Sequence, residues 1–213
     1  YLLTACNPAP SLAPPSLRVR CAPLPVIGVI EPGAQAACDA SRTGHIAVIA
    51  TEGTIRGGAY QREIERRSAT AKVFTQPCSL FVALAEEGWT HGAITESIAS
   101  RYLRSLFERN DRIDTLLLGC THFPVLADAL RAVIPADVSI VDSALTTAAS
   151  LYAHLAEQDL AQNRTAPGRG RLLATDSPER LARIGSLFLS EAVAAADVEL
   201  VDLSQSAISV PMP

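Results

Sequence analysis

Short apolar runs rich in Leu and β-branched residues recur along the chain: VIGVI at 26–30, HIAVIAT at 45–51, TLLLGC at 115–120, VSIVDS at 138–143, RLLATDS at 171–177 and VELVDL at 198–203. They are apolar throughout rather than alternating, as strands covered on both faces are. Between them, apolar residues recur at three-to-four spacing in SLFVALAEEGW (79–89), ITESIASRYLRSLFERN (94–110), VLADALRAVI (125–134), ALTTAASLYAHLAEQ (144–158) and SPERLARIGSLFLSEAV (177–193). That spacing predicts helices, the last of them opening with Ser177 as N-cap and Pro178 at the first helical position. Strand and helix in alternation predict an α/β architecture with a mainly parallel sheet, or two such sheets. Ligands of such folds sit at the carboxyl ends of the strands. The Pro-rich 7–25 and the polar 157–171 interrupt the alternation and read as loops or linkers.

Composition narrows the class. The 213 residues are 48% hydrophobic, enough for a sizeable core and for one or two domains. A net charge of −4 from 18 basic and 22 acidic residues, with no long run of either sign, offers no footprint for nucleic acid or an anionic membrane. Pro, Arg or Asp interrupts every apolar stretch before it reaches the roughly 20 residues of a membrane span. The five cysteines, Cys6, Cys21, Cys38, Cys78 and Cys120, form no CxxC pair and read as free thiols of a cytoplasmic protein rather than as a disulfide framework or a metal site.

Two of these thiols share a setting. LLTACN at 2–7 and LLLGCTH at 116–122 each run from leucines through a small residue to Cys and then to a polar residue able to cap a helix. Cys120 is thereby placed at a strand end beside His122 and a helix N-terminus, both of which favour a thiolate. Gly119 before it leaves room for a ligand to approach. A buried structural Cys is the other reading of the same position. For Cys6, LTAC also matches the end of a lipoprotein signal, although no basic segment precedes it here. Neither CNPAPSL nor CTHFPVL has the Arg that a Cys-phosphatase loop requires. TEGTIRGGAY lacks the spacing of a dinucleotide or Walker loop, so no nucleotide or metal is called for.

Taken together, ACN, PVIGVIEPGAQAA, IAVIATEGTIRGGAYQ, QPCSLFVALAEEGW, GCTHFPVL and TDSPERLARIGSLFL resemble, in that order, the glutamate racemases of the aspartate/glutamate racemase family. His122 after GCT favours the glutamate branch, since the aspartate enzymes typically carry Glu there. The resemblance implies two similar doubly wound α/β domains with mainly parallel sheets, the first formed by 1–28 with 143–213 and incomplete at its N-terminus, the second by 29–142. It implies a cofactor-independent racemisation of glutamate that supplies D-glutamate for peptidoglycan, with Cys6 and Cys120 as opposed acid–base thiols. His122 and Glu86 would assist Cys120, with Glu87 as the alternative acid. Asn7, Pro8, Thr121, His122, Thr51 and Thr54 match substrate-contacting positions, and a homodimer is the expected assembly. Cys21, Cys38 and Cys78 match no catalytic position.

The chain also departs from the pattern. The family's opening strand, its Asp-Ser-Gly loop and a Pro-Tyr-Gly segment have no counterpart, and Pro8 stands where a Thr donates to substrate. Proline lacks even the backbone N–H that might substitute. The expectation is therefore a fragment of a full enzyme, racemising glutamate weakly or not at all. An aspartate or other amino-acid racemase, and a non-catalytic binding protein of racemase fold, stand as the alternatives.

Overall fold

The runs at 45–50 and 115–118 carry too much apolar surface to face water on either side, and they form adjacent parallel strands, with 139–142 pairing as an edge beside the second. The computed structural model describes residues 1–5, 14–161, 168 and 170–202. The chain divides into two compact units, residues 1–161 and 162–213.

In the first unit, β1 (Leu2–Thr4), α1 (Pro14–Cys21), β2 (Val26–Gly28), α2 (Ile30–Ala40), β3 (His45–Ala50), α3 (Glu52–Gly57), α4 (Ala59–Arg67), β4 (Lys72–Pro77), α5 (Leu80–Glu86), α6 (Ala93–Arg109), β5 (Thr115–Leu118), α7 (Ala127–Arg131), β6 (Ser139–Asp142) and α8 (Ser143–Glu157) follow in order. Strands β1 and β2 pair in parallel, and the larger sheet has the order β4-β3-β5-β6, parallel throughout. The chain thus moves outward from β3 to β4 and returns to β5 on the other side of β3. The gap between β3 and β5 is the topological switch point of this sheet.

Side chains of β3 divide between two cores because successive residues of a strand point to opposite faces. Ile46 and Val48 join Ile30, Ala34 and Ile64 of α2 and α4. Ala47 and Ile49 join Phe81, Leu103, Phe107 and Phe123 on the other face. Covering both faces is what allows the strands to be apolar along their whole length. At the amino end of the sheet the buried Asp114 carboxylate accepts from Ser41 Oγ at 2.6 Å and from the backbone N–H groups of Arg42 and Thr43 at 2.7 and 2.8 Å. Burial pushes its pKa up, but these bonds and one from Thr115 outweigh that, and the carboxyl is held below its usual value.

In the second unit, β7 (Leu172–Ala174) pairs in parallel with β8 (Val198–Leu200), with α9 (Pro178–Leu189) between them. Ser177 caps α9, its Oγ accepting from Arg180 N at 3.3 Å with Pro178 at the first position.

Several elements differ from the sequence reading. Pro14–Cys21, read as part of a loop, is helical; prolines are tolerated in a first helical turn, where an N–H has no intrahelical acceptor. The run 26–30 is a strand only to Gly28, after which Ile30 opens α2. Strand β4, KVFTQP, went unread because it is a sheet edge with only two non-proline apolar residues. The helix expected over 125–134 is a 3-10 turn, Phe123–Leu126, followed by the short α7.

Candidate active site

At the carboxyl ends of the larger sheet, backbone pairing sets residues from different strands side by side. Ile49 lies opposite Leu118, and the Gly119 N–H donates to Ile49 O at 2.8 Å. Thr51 and Cys120 each stand two residues beyond this pair, so they flank the switch point on neighbouring strands. Ligands of open α/β sheets bind there because the chain diverges on either side and leaves a crevice.

Cys120 is 6% exposed. Its Sγ lies 3.9 Å from His122 Nδ1, and His122 Nε2 lies 3.2 Å from Glu86 Oε1 at the end of α5. A carboxylate can only accept, so Nε2 carries the hydrogen in this contact. In the tautomer with that hydrogen alone, the ring turns its Nδ1 lone pair toward the sulfur, where it can take the thiol proton. The side chains of His122 and Glu86 remain 28% and 22% exposed, so the outer end of this row reaches solvent while the sulfur does not. Glu87, the neighbouring acid, is exposed at the helix end, and it is Glu86 that meets His122. The 3-10 turn after His122 is only four residues long, so the helix dipole expected to assist the thiol is weak here and the imidazole is the principal partner.

On the adjacent strand, Thr51 precedes α3, and its Oγ1 lies 3.1 Å from Thr54 Oγ1. Thr54 is 1% exposed, so the pair holds a polar, hydrogen-bonding edge beside an otherwise apolar floor. Thr121 follows Cys120 and is half-buried. Cys6, Asn7 and Pro8 lie outside the described residues. Cys78 is fully buried beneath the site, and burial pushes its thiol pKa far up, which leaves it a packing residue. Among the described residues no group of three or more His, Cys, Asp or Glu is arranged to hold a metal ion, and no helix is long and apolar enough to cross a membrane.

Gly119 has a different role from the one its sequence suggested. A Cβ there would lie 2.9 Å from Tyr60 Cε2, 3.1 Å from Ile49 O and 3.2 Å from Ala50 Cβ. The space is taken by the protein itself and is not left open to a ligand. Tyr60 and Ser143, which meet behind this turn, carry no local signal in the sequence because they are brought there by packing.

A doubly wound α/β domain with a histidine-paired thiol and a threonine edge at its switch point defines an enzyme frame suited to cysteine acid–base chemistry. Comparison with known proteins specifies it. Residues 1–151 match the family model of Asp/Glu/Hydantoin racemases. A glutamate racemase from Koribacter versatilis is 40% identical over 225 residues, covering 95% of this chain and 76% of that protein. One from Geobacter metallireducens is 40% identical over 188 residues, covering 88% and 68%. Among solved structures, glutamate racemase from Francisella tularensis in complex with D-glutamate superposes with a TM-score of 0.83 at 32% identity, over 95% of this chain and 73% of that one. The chain belongs to the Asp/Glu/Hydantoin racemase family, and these relatives place it among the glutamate racemases.

Proposed function

We propose that the protein interconverts L- and D-glutamate without a cofactor, by two thiols acting on opposite faces of Cα. The observation that carries this reading is the row Glu86–His122–Cys120 at the switch point, with the Thr51–Thr54 pair on the next strand. In one direction Cys120, having passed its proton to His122 Nδ1, removes the Cα proton, and the bonding pair delocalises into the substrate carboxylate. The Cys6 thiol then delivers a proton to the other face. In the reverse direction the two thiols exchange roles. Glu86 orients His122, and donors from Asn7, Thr121, Thr51 and Thr54 stabilise charge developing on the carboxylate. A carbanion at an unactivated amino acid is costly, and preorganised donors in a site that excludes water lower that cost. The low exposure of Cys120 supports this.

In this reading Pro8 leaves one substrate donor missing and lowers turnover. Residues 1–28 with 143–213 would form one lobe and 29–142 the other, with the product serving peptidoglycan synthesis and the enzyme acting as a homodimer. The test is deuterium incorporation at Cα in D2O, followed by proton NMR, for a panel of amino acids. Glutamate should exchange fastest in both enantiomers. Faster exchange of aspartate would reassign the substrate, and no exchange of any amino acid would support a non-catalytic binding protein.

A further inference from the structure

Tyr60 is 1% exposed and is among the largest fully buried side chains. It reaches its position because the chain breaks between α3 and α4 at Gly58, in the left-handed region at φ 64°, and folds back beneath the strand ends. Its ring is held at both edges by glycines. Cε2 lies 2.9 Å from where a Cβ on Gly119 would be, and Cε1 lies 3.3 Å from where one on Gly33 would be. A larger residue at position 119 would force a shift, and one at position 33 would press the ring by a few tenths of an ångström. The phenol oxygen is tied to the Ser143 side chain, and Ser143 is itself 1% exposed at the start of α8, next to the strand that flanks β5.

One buried ring thus joins α2, the Gly119–Cys120 turn and the β6–α8 junction. Burial pushes the phenol pKa far above its usual value; the bond with Ser143 works against this, and negative charge on the nearby Cys120 would add to it. Tyr60 therefore stays neutral and offers Cys120 a dipole rather than a second charge. We propose that Tyr60 is a positioning residue for Cys120, its ring fixing the height of the Gly119–Cys120 turn above the strand ends and its hydroxyl, anchored on Ser143, keeping the ring from sliding. This rests on the reading of Cys120 as an acid–base thiol.

The test compares Tyr60→Leu and Tyr60→Phe in the 213-residue chain, with the exposed Tyr152→Phe as control. Misplacing a reacting group by about 1 Å costs on the order of 10²-fold, so Tyr60→Leu should lower kcat by roughly that factor while KM stays within about threefold. Tyr60→Phe keeps the ring and should recover at least about tenfold of the loss. A second readout does not depend on turnover: the rate of Cys120 alkylation by iodoacetamide relative to Cys38, measured by peptide mass spectrometry well below the unfolding midpoint of each variant. Tyr60→Leu should change that ratio by about fivefold or more as the thiol shifts in its surroundings, and Tyr60→Phe by less than about twofold. An unchanged ratio in Tyr60→Leu, or a raised KM with kcat intact, would overturn the proposal. Should the unsubstituted chain fail to exchange glutamate, the activity proposed for this chain fails, and the alkylation ratio still decides the role of Tyr60.

Discussion

Adding one methyl group at Gly119 tests how tightly the turn bearing Cys120 is built. A buried methyl taken from water would by itself stabilise by about 0.8 kcal/mol. Here it would meet Tyr60 Cε2 at 2.9 Å, Ile49 O at 3.1 Å and Ala50 Cβ at 3.2 Å. The carbonyl cannot retreat, since it accepts the Gly119 N–H at 2.8 Å within the ladder between β3 and β5. The tyrosine ring cannot swing freely, since its opposite edge lies against Gly33. Relief must come from a shift of the turn itself, and overpacking of this kind costs about 1–3 kcal/mol. Gly119→Ala should lower the urea midpoint accordingly with an unchanged m value, and depress the melting temperature by about 2–4 °C per kcal/mol. Its glutamate exchange rate should fall by more than the lost stability explains, because the displaced residue is the neighbour of Cys120. Gly53→Ala is the control: a Cβ there meets nothing within 4 Å, and in the first turn of α3 it should be neutral or stabilising by up to about 1 kcal/mol. Full stability of Gly119→Ala, matching that control, would refute the packing argument.

Two further perturbations separate scaffold from chemistry. Asp114→Ala leaves the Arg42 and Thr43 N–H groups without their acceptor, each at about 1–3 kcal/mol, and urea titration should show a loss of about 3 kcal/mol. Because the folded-state pKa of Asp114 is depressed, its contribution is present above the unfolded value and is lost as pH falls through the folded one. The unsubstituted chain should lose stability below about pH 4, and Asp114→Asn should flatten that fall. Glu86→Gln should lower kcat roughly tenfold to a hundredfold with little change in KM, measured by circular dichroism at saturating glutamate, whereas Glu87→Gln should match the unsubstituted chain.

What could be read from the chain follows the range of the interactions involved. Strands β3 and β5 were legible because burial on both faces demands uninterrupted apolar residues, and the edge strand β6 because Val138, Ile140 and Val141 make a short β-branched run. Strand β4 was not, because an edge can be built from residues such as Lys72, Thr75 and Gln76 that carry no such demand. The prolines of 14–21 obscured a helix whose first turn tolerates them. Cys120 and His122 are two residues apart, and their local order suggested the chemistry. Glu86 meets His122 across 36 residues, and its position was implied by family resemblance rather than by spacing. Tyr60 and Ser143 had no signature at all, since a ring wedged between two glycines from different elements exists only after the sheet has assembled. Strand order was likewise hidden, and with it the fact that Thr51 and Cys120 flank one crevice.

The central claim is that Cys120 moves the Cα proton of glutamate. The most direct measurement is the rate of Cα deuterium incorporation into L- and D-glutamate in D2O by Cys120→Ala, set beside the unsubstituted chain at equal folded concentration. The account predicts that interconversion of the enantiomers falls at least about 10²-fold while the unfolding midpoint changes little. Undiminished interconversion by folded Cys120→Ala would contradict it.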